Sequence, residues 1–220
     1  MARRVVAEAL GTALLLAAIV GSGIMGDRLA GGNIALALLA NTIATGAALV
    51  TLIFTFGPIS GAHFNPVVTI ALASQEELPW RETPAYIAAQ VVGAISGVWA
   101  AHLMFGLAVL QISTHARSGA AQMFGEFVAT FGLLSIIWGC SKRRPEAVPI
   151  AVGLYITSAY WFTSSTSFAN PAVTIARSFS DSFAGIRPAD APGFIAAQFA
   201  GMAAATLLFR WLLRETKYAG

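Results

Sequence analysis

The most constraining feature of this sequence is the stretch from Leu29 to Gln75, 47 residues that include no Asp, Glu, Lys or Arg. One membrane-spanning helix needs about 20 apolar residues, so the stretch is about twice as long as a single span requires. The whole chain is 57% hydrophobic and 10% charged, whereas soluble domains carry about 25% charged residues. We therefore predict an all-α membrane protein that contains apolar structure beyond its ordinary spans.

A short re-entrant helix is predicted in the second half of this stretch. Gly57-Pro58 and Gly61 are expected to break the preceding helix, and a new helical pattern begins at Asn65 and ends near Ser74. About ten residues at ~1.5 Å each make a helix of ~15 Å, about half the hydrocarbon thickness. The segment should therefore enter the membrane and return to the same side.

Six full spans account for the other apolar segments. Their predicted limits are about 4–25, 33–56, 82–108, 120–140, 147–165 and 192–213. Basic residues flank the spans in three clusters: Arg3 and Arg4; Lys142, Arg143 and Arg144; and Arg210, Arg214 and Lys217. With six spans the three clusters fall on one side, so the positive-inside rule predicts that both termini are cytoplasmic. The first span has no convincing cleavage site and is expected to be retained.

The Asn-Pro segment occurs twice. Phe64 to Ala71 aligns with Ala169 to Ala176 at an offset of 105 residues, and Glu8 and Gln90 align with Glu126 and Gln198. We therefore predict a single transmembrane domain, 1–220, made of a first repeat 1–115 and a second repeat 116–220. Three spans per repeat make the second repeat enter from the opposite side, so the repeats are inverted.

Each Asn-Pro pair suits a helix that begins inside the membrane. Proline at the first helical position removes only an amide that lacks an intrahelical partner, and the preceding Asn caps the free amides while its own NH₂ group can still donate. Irregular backbone at this depth must be packed in protein or line a cavity. Asn65 and Asn170 are therefore expected beside a polar lumen, where two opposed helix N-termini repel cations.

Composition argues against several other function classes. The net charge of +3 is dispersed, without the basic stripe of a nucleic-acid-binding protein. Cys140 is the only cysteine, so no internal disulfide or thiolate metal site can form. The three histidines, His63, His102 and His115, lack neighbouring nucleophiles or metal ligands, so neither a catalytic nor a metal site is expected.

The sequence Ser60 to Thr69 (SGAHFNPVVT) and the triplet Asn170-Pro171-Ala172 resemble the paired Asn-Pro-Ala signatures of the aquaporin and aquaglyceroporin family, the major intrinsic proteins. The resemblance covers essentially the whole chain. It implies an aquaporin-like fold of six transmembrane helices plus two re-entrant half-helices, assembled as a homotetramer with one pore per protomer and no cofactor. The implied midplane residues are Asn65, Pro66, Val67, Asn170, Pro171 and Ala172.

The same resemblance assigns structural roles to three further residues. Glu8 and Glu126 match family glutamates that accept hydrogen bonds from the re-entrant backbone, and their buried positions independently indicate structural partners. His63 matches a family loop histidine, for which packing is favoured over a pH-sensing role.

Two residues depart from the family pattern. Val67 replaces the first-motif alanine, and Val173 stands where a family arginine usually narrows the selectivity filter. Counting without gaps places the other filter positions at Thr45, Ser158 and Ser167. None of these is aromatic or charged, which resembles an arginine-free bacterial branch associated with arsenite and methylated arsenicals. Arg177, one helical turn beyond Val173, is expected to reach the membrane interface instead of substituting for the missing arginine.

The leading hypothesis is a passive channel, in a bacterial inner membrane, for small uncharged solutes such as water, glycerol-like polyols and neutral metalloid acids. The alternatives are a secondary transporter that uses Glu8 or Glu126 for ion coupling, a water-selective aquaporin, and a structural membrane protein with a vestigial pore. Flux that needs no ion gradient would separate the channel from the transporter.

Overall fold

The computed structural model describes residues 1–214, which form eight α-helices and one short 3₁₀-helix. The α-helices in chain order are α1 (Ala2–Leu29), α2 (Ile34–Ser60), α3 (Pro66–Ser74), α4 (Thr83–Met104), α5 (Ala120–Ser141), α6 (Val148–Phe162), α7 (Pro171–Arg177) and α8 (Ala191–Leu212). The 3₁₀-helix Pro145–Ala147 directly precedes α6. The all-α prediction is confirmed for the part of the chain that the structure describes.

Five of these helices, α1, α2, α4, α5 and α8, are long and apolar enough to cross a membrane. Helix α6 has 15 residues, which makes it ~22 Å long. The preceding 3₁₀ turn adds ~6 Å, so the two together approach the ~30 Å of hydrocarbon. The predicted span 147–165 is therefore three residues too long at its end, because the chain leaves the helix after Phe162 and turns back toward α7.

Helices α3 and α7 are the two predicted half-helices, with 9 and 7 residues. The expectation that Gly57-Pro58 breaks the preceding helix is wrong, because α2 continues through both residues to Ser60. Pro58 is exposed on the surface of α2. The helix ends at Gly61, whose φ of 92° is a left-handed conformation that glycine adopts without a side-chain clash.

The helix packing follows the repeat. Helix α1 packs against α2 and α4, and α5 packs against α6 and α8 in the equivalent way. Gly93 and Gly97 of α4 lie directly against the α1 backbone at Ala9 and Ala13, and Gly201 of α8 lies against the α5 backbone at Phe127. These glycines let the helices approach closely, so they serve crossings within the chain.

The three basic clusters lie at one end of the helix bundle. Arg4 donates to Glu82 at 2.6 Å in the segment between α3 and α4, and Gln75 from the same segment shares a cleft with Lys142 and Arg210. The two repeats therefore expose their basic ends on a common face, as the sequence predicts. Lys217 of the third cluster lies outside the described residues.

Candidate pore

The two half-helices begin with the same cap. The Asn65 side-chain oxygen accepts from the Val67 amide at 3.1 Å, and the Asn170 oxygen accepts from the Ala172 and Val173 amides at 2.9 and 3.2 Å. In both helices proline occupies the first turn, where no intrahelical amide bond is lost. Both N-termini are thereby fixed inside the protein.

The two capping Asn side chains also form hydrogen bonds across the junction. The Asn65 amide nitrogen donates to the Ala169 carbonyl at 2.8 Å, and the Asn170 amide nitrogen donates to the Phe64 carbonyl at 2.8 Å. These reciprocal bonds join the N-termini of α3 and α7 end to end. Each amide carries two N–H groups, and among the described residues only one is used, so one donor per Asn remains for the space alongside.

Two buried carboxylates anchor the segments that lead into the half-helices. Glu8 accepts from the Ser60 hydroxyl at 2.6 Å and from the His63 and Phe64 amides at 3.0 and 2.7 Å. Glu126 accepts from the Phe168 and Ala169 amides, both at 2.8 Å. The hydrogen bonds that the family resemblance implied for Glu8 and Glu126 are thus present in the structure.

Gln90 and Gln198 complete these anchors. Gln90 donates to Glu8 and to the Thr69 hydroxyl, both at 2.8 Å. Gln198 donates to Glu126 at 2.6 Å and to the Thr174 hydroxyl at 2.9 Å. The repeat aligns the two glutamines, although the sequence alone predicts no role for them. Their position as matched polar residues in apolar spans was the available signal.

Unusual backbone geometry recurs in both leading segments. Ala62 and Phe64 have φ values of 50° and 49°, and their repeat counterparts Ser167 and Ala169 have 51° and 49°. Left-handed backbone at such residues costs about 1–3 kcal/mol each and needs external support, which the two carboxylates supply through the neighbouring amides. Gly61, which has no side chain, lines the cavity that the next paragraph describes. Backbone atoms of the re-entrant segment therefore form part of the cavity wall.

A cavity of about 120 Å³ runs past the meeting point of the half-helices. Its lining combines apolar side chains with the re-entrant backbone, both Asn side chains and a few other polar groups. The apolar residues from the long helices include Leu15, Ile19, Leu49, Ile53, Leu133, Ile137, Val152 and Ile156. The residues from the re-entrant segments include Gly61, Ala62, His63, Phe64, Asn65, Ser167, Phe168, Ala169, Asn170 and Arg177.

The other predicted midplane residues lie behind this surface. Pro66, Val67, Pro171 and Ala172 are buried but do not line the cavity. Val67 packs into a core cluster, so the methyl groups that distinguish it from alanine face protein. His63 does line the cavity, and its Nδ1 lies 3.2 Å from the Thr69 hydroxyl.

Three of the four predicted filter residues, Thr45, Ser167 and Val173, line the cavity. Ser158 does not: it is exposed, and its hydroxyl donates to the Tyr155 carbonyl of the same helix. Tyr160 takes the place next to Thr45 and donates to its hydroxyl at 3.3 Å. Ser158 and Tyr160 are two positions apart, which corresponds to a rotation of about 200° around the helix axis. The gap-free count therefore selected a residue on the wrong face of α6.

The expectation for Arg177 is also wrong. The side chain does not reach the membrane interface; it is 2% exposed and lines the cavity together with Val173. Its Nε donates to the Ala184 carbonyl, and its guanidinium carbon lies 3.4 Å from the centre of the Phe168 ring. The cavity lining therefore includes an arginine and the aromatic residues Phe64, Tyr160 and Phe168, none of which is expected there from the sequence.

A second buried arginine, Arg117, braces the loops on both sides of α7, a role that the sequence analysis does not predict. Its guanidinium donates to the carbonyls of Gly185, Phe183 and Ser165 at 2.8, 3.3 and 3.4 Å. Burial lowers the pKa of Arg117 to about 10, so the side chain remains cationic at neutral pH. Because its donors are used by carbonyls, it joins the segments before and after α7, and it is not among the residues that line the cavity.

The inverted repeats, opposed Asn-capped half-helices and adjoining lumen define this molecule as a membrane channel of the two-repeat, six-span class. The family model described as Major intrinsic protein matches residues 1–164, and the chain belongs to that family. It is a channel protein and not an enzyme.

Individual relatives agree with this assignment. The chain is 56% identical to the aquaglyceroporin AqpS of Rhizobium meliloti (strain 1021) over 99% of this chain and 93% of that protein. It is 34% identical to the aquaporin NIP1-3 of Oryza sativa subsp. japonica over 79% of this chain and 62% of that protein. The X-ray structure of the aquaglyceroporin from Plasmodium falciparum shares the fold, with a TM-score of 0.70 at 21% identity, covering 94% of this chain and 95% of that one.

Proposed function

We propose that this protein is a passive channel for small uncharged solutes, namely water, glycerol-like polyols and neutral metalloid acids such as arsenite and methylated arsenicals. The observation that carries the proposal is the pair of reciprocally bonded Asn caps, each with a spare donor, beside a cavity that is lined mostly by apolar residues. A polyol or a hydroxylated metalloid fits such a lining, since its hydroxyl groups can bond the few polar groups while its apolar edge contacts the apolar residues.

Ions and protons are excluded at the same point. Two helix N-termini place roughly half a positive charge each at the junction, which repels cations and hydronium. Ions would also lose hydration at a large cost, because among residues 1–214 no carboxylate lines the cavity to replace it. A pH-sensitive dye trapped in proteoliposomes tests this: no proton flux should scale with the protein content.

The arrangement of the two carboxylates favours a channel over an ion-coupled transporter. Every hydrogen bond that Glu8 and Glu126 make in residues 1–214 comes from the scaffold. Neither residue lines the cavity. A carboxylate that couples transport to an ion must bind that ion and exchange its hydrogen-bond partners during the transport cycle. Glu8 and Glu126 could do so only by breaking their bonds to the re-entrant segments.

We further propose that the channel works as a homotetramer in a bacterial inner membrane with both termini cytoplasmic. The common face of the basic clusters supports the orientation. Exposed apolar side chains on α2 and α6, such as Ile43 and Leu154, leave helix faces for lipid or neighbouring protomers.

A swelling series in proteoliposomes tests the substrate class directly. We expect water, glycerol and neutral arsenous acid to enter faster than into protein-free vesicles, at rates that do not depend on any ion gradient. A protein that passes water only would support the water-selective alternative, and a requirement for a proton or sodium gradient would support a transporter.

A further inference from the structure

A second cleft, of about 100 Å³, lies at the end of the bundle that carries the basic clusters. It is formed by the ends of α5 and α8 and by the segment that follows α3. The polar groups of its lining come from Gln75, Glu77, Lys142, Thr206 and Arg210, none of which lines the pore cavity. The cleft is therefore a separate site, which the conduction of solutes does not use.

Two cationic side chains line this cleft without an anionic partner. Neither Lys142 nor Arg210 forms an ion pair within residues 1–214, whereas Arg4 and Arg187 both do. Glu77 is the one carboxylate among the lining residues in that range. The cleft therefore carries more positive than negative charge, and the ammonium and guanidinium donors are available to a ligand.

The cleft lies at the depth of lipid headgroups. Helix α5 has 22 residues, so it is ~33 Å long and its end reaches just past the ~30 Å of hydrocarbon. On α8, Leu207 and Trp211 are 68% and 66% exposed, and their spacing from Arg210 makes the three residues neighbours on the helix surface. Tryptophan is enriched where hydrocarbon meets headgroups. A lipid whose chains pack on this face can bring its headgroup to the cleft.

The corresponding place in the other repeat is filled by packed side chains. An offset of 118 residues relates α1 to α5 and pairs Ile24 with Lys142. An offset of 108 residues relates α4 to α8 and pairs His102 with Arg210. Ile24 belongs to the hydrophobic core, and His102 is fully buried with its Nε2 atom 2.9 Å from the Ser180 hydroxyl. The scaffold thus needs no cation at either place, which leaves ligand binding as the property that the open, charged cleft adds.

We propose that this cleft binds the phosphate group of an anionic phospholipid, with Lys142 and Arg210 as donors to the phosphate oxygens. Both side chains are common phosphate ligands, and basic pockets between membrane spans suit anionic headgroups. Because Gln75 belongs to the segment after α3, a bound headgroup joins the end of this half-helix to the ends of α5 and α8.

Native mass spectrometry of the full-length protein in detergent tests the site, with phosphatidylglycerol and phosphatidylcholine of identical acyl chains as probes. Wild type should bind phosphatidylglycerol more tightly as its first lipid. The double variant Lys142→Gln/Arg210→Gln should lower this preference about tenfold, because two charges beside the headgroup are lost. Both side chains are exposed, so the variant should fold normally.

The matched control is Arg143→Gln/Arg144→Gln, which removes two charges from the same end of the bundle. Both arginines are exposed and neither lines the cleft. This variant should lower the preference no more than about twofold, because solvent screens exposed charges. If the two double variants lose the preference equally, or if neither loses it, the proposal is overturned.

Two further arms identify the occupant. Glu77→Gln removes a like charge beside the phosphate and should raise the preference for phosphatidylglycerol; a lowered preference overturns the proposal. Millimolar inorganic phosphate should not displace the bound lipid, because it lacks acyl chains that pack beside Leu207 and Trp211. Displacement would assign the cleft to a soluble phosphate and overturn the lipid site. These readouts measure binding alone, so they are decisive whether or not the protein conducts solutes.

Discussion

The two re-entrant segments, the inner one leading into α3 and the outer one leading into α7 in the proposed orientation, use the same scaffold but present different chemistry to the pore. Both have the Asn-Pro start, the buried Glu, the bridging Gln and the same left-handed backbone. At matched positions facing the cavity, however, His63 and Leu72 in the inner segment correspond to Phe168 and Arg177 in the outer one. The duplicated residues build the pore, and the unmatched residues are the ones available to select what passes.

The largest effect is expected from the shared scaffold. Glu126→Ala leaves the Phe168 and Ala169 amides and the Gln198 side chain without their acceptor. Unpaired buried donors cost about 1–3 kcal/mol each, so the loss should be several kcal/mol. Thermal unfolding in detergent should show it as a strongly lowered midpoint.

The matched variant in the inner half sharpens this comparison. Glu8→Ala removes the acceptor of the Ser60 hydroxyl, the His63 and Phe64 amides and the Gln90 side chain, and should destabilise the protein at least as much. If one variant unfolds easily while the other keeps wild-type stability, the two carboxylates do not have equivalent roles.

A smaller effect is expected at Val173, which lines the cavity with a short apolar side chain. Val173→Arg would place a second guanidinium within one turn of Arg177 and fill the cross-section. Glycerol flux should fall at least tenfold, about 1.4 kcal/mol of added barrier, and water flux should fall less. Val173→Leu adds bulk without donors and is the control. Equal glycerol flux through wild type and Val173→Arg would contradict an open outer filter.

The smallest effect is expected from Tyr160→Phe. The change removes one hydroxyl that donates to Thr45 at 3.3 Å while keeping the ring. A neutral hydrogen bond contributes about 1 kcal/mol or less at this length, so solute permeability should change no more than a few fold. Ser158→Ala is the control, since Ser158 is exposed, and it should not change permeability. If Ser158→Ala changed permeability more than Tyr160→Phe, Ser158 and not Tyr160 would belong to the filter.

The scaffold residues could be predicted from the sequence because the same motifs occur in both repeats. Asn65 and Asn170 were placed by matched motifs in apolar context, and Glu8 and Glu126 by the rarity of acids in spans. The filter was harder because Ser167 and Arg177 correspond to Ala62 and Leu72 in the other repeat, so the duplication carries no information about them. Ser158 was chosen by counting along α6, and a shift of two residues exchanges helix faces. Arg177 was misplaced because its long side chain can point either way, and only packing against Phe168 and Ala184 decides.

The central claim is that the Asn junction lines the conducting path. Its most direct measurement is stopped-flow glycerol uptake into proteoliposomes containing wild type, Asn65→Leu or Asn170→Leu at equal, verified membrane insertion. Wild type should conduct in proportion to protein content, and either leucine should abolish most of the flux, because it removes the spare donor and places an apolar side chain at the junction. Undiminished glycerol uptake through a folded Asn170→Leu protein would contradict the account.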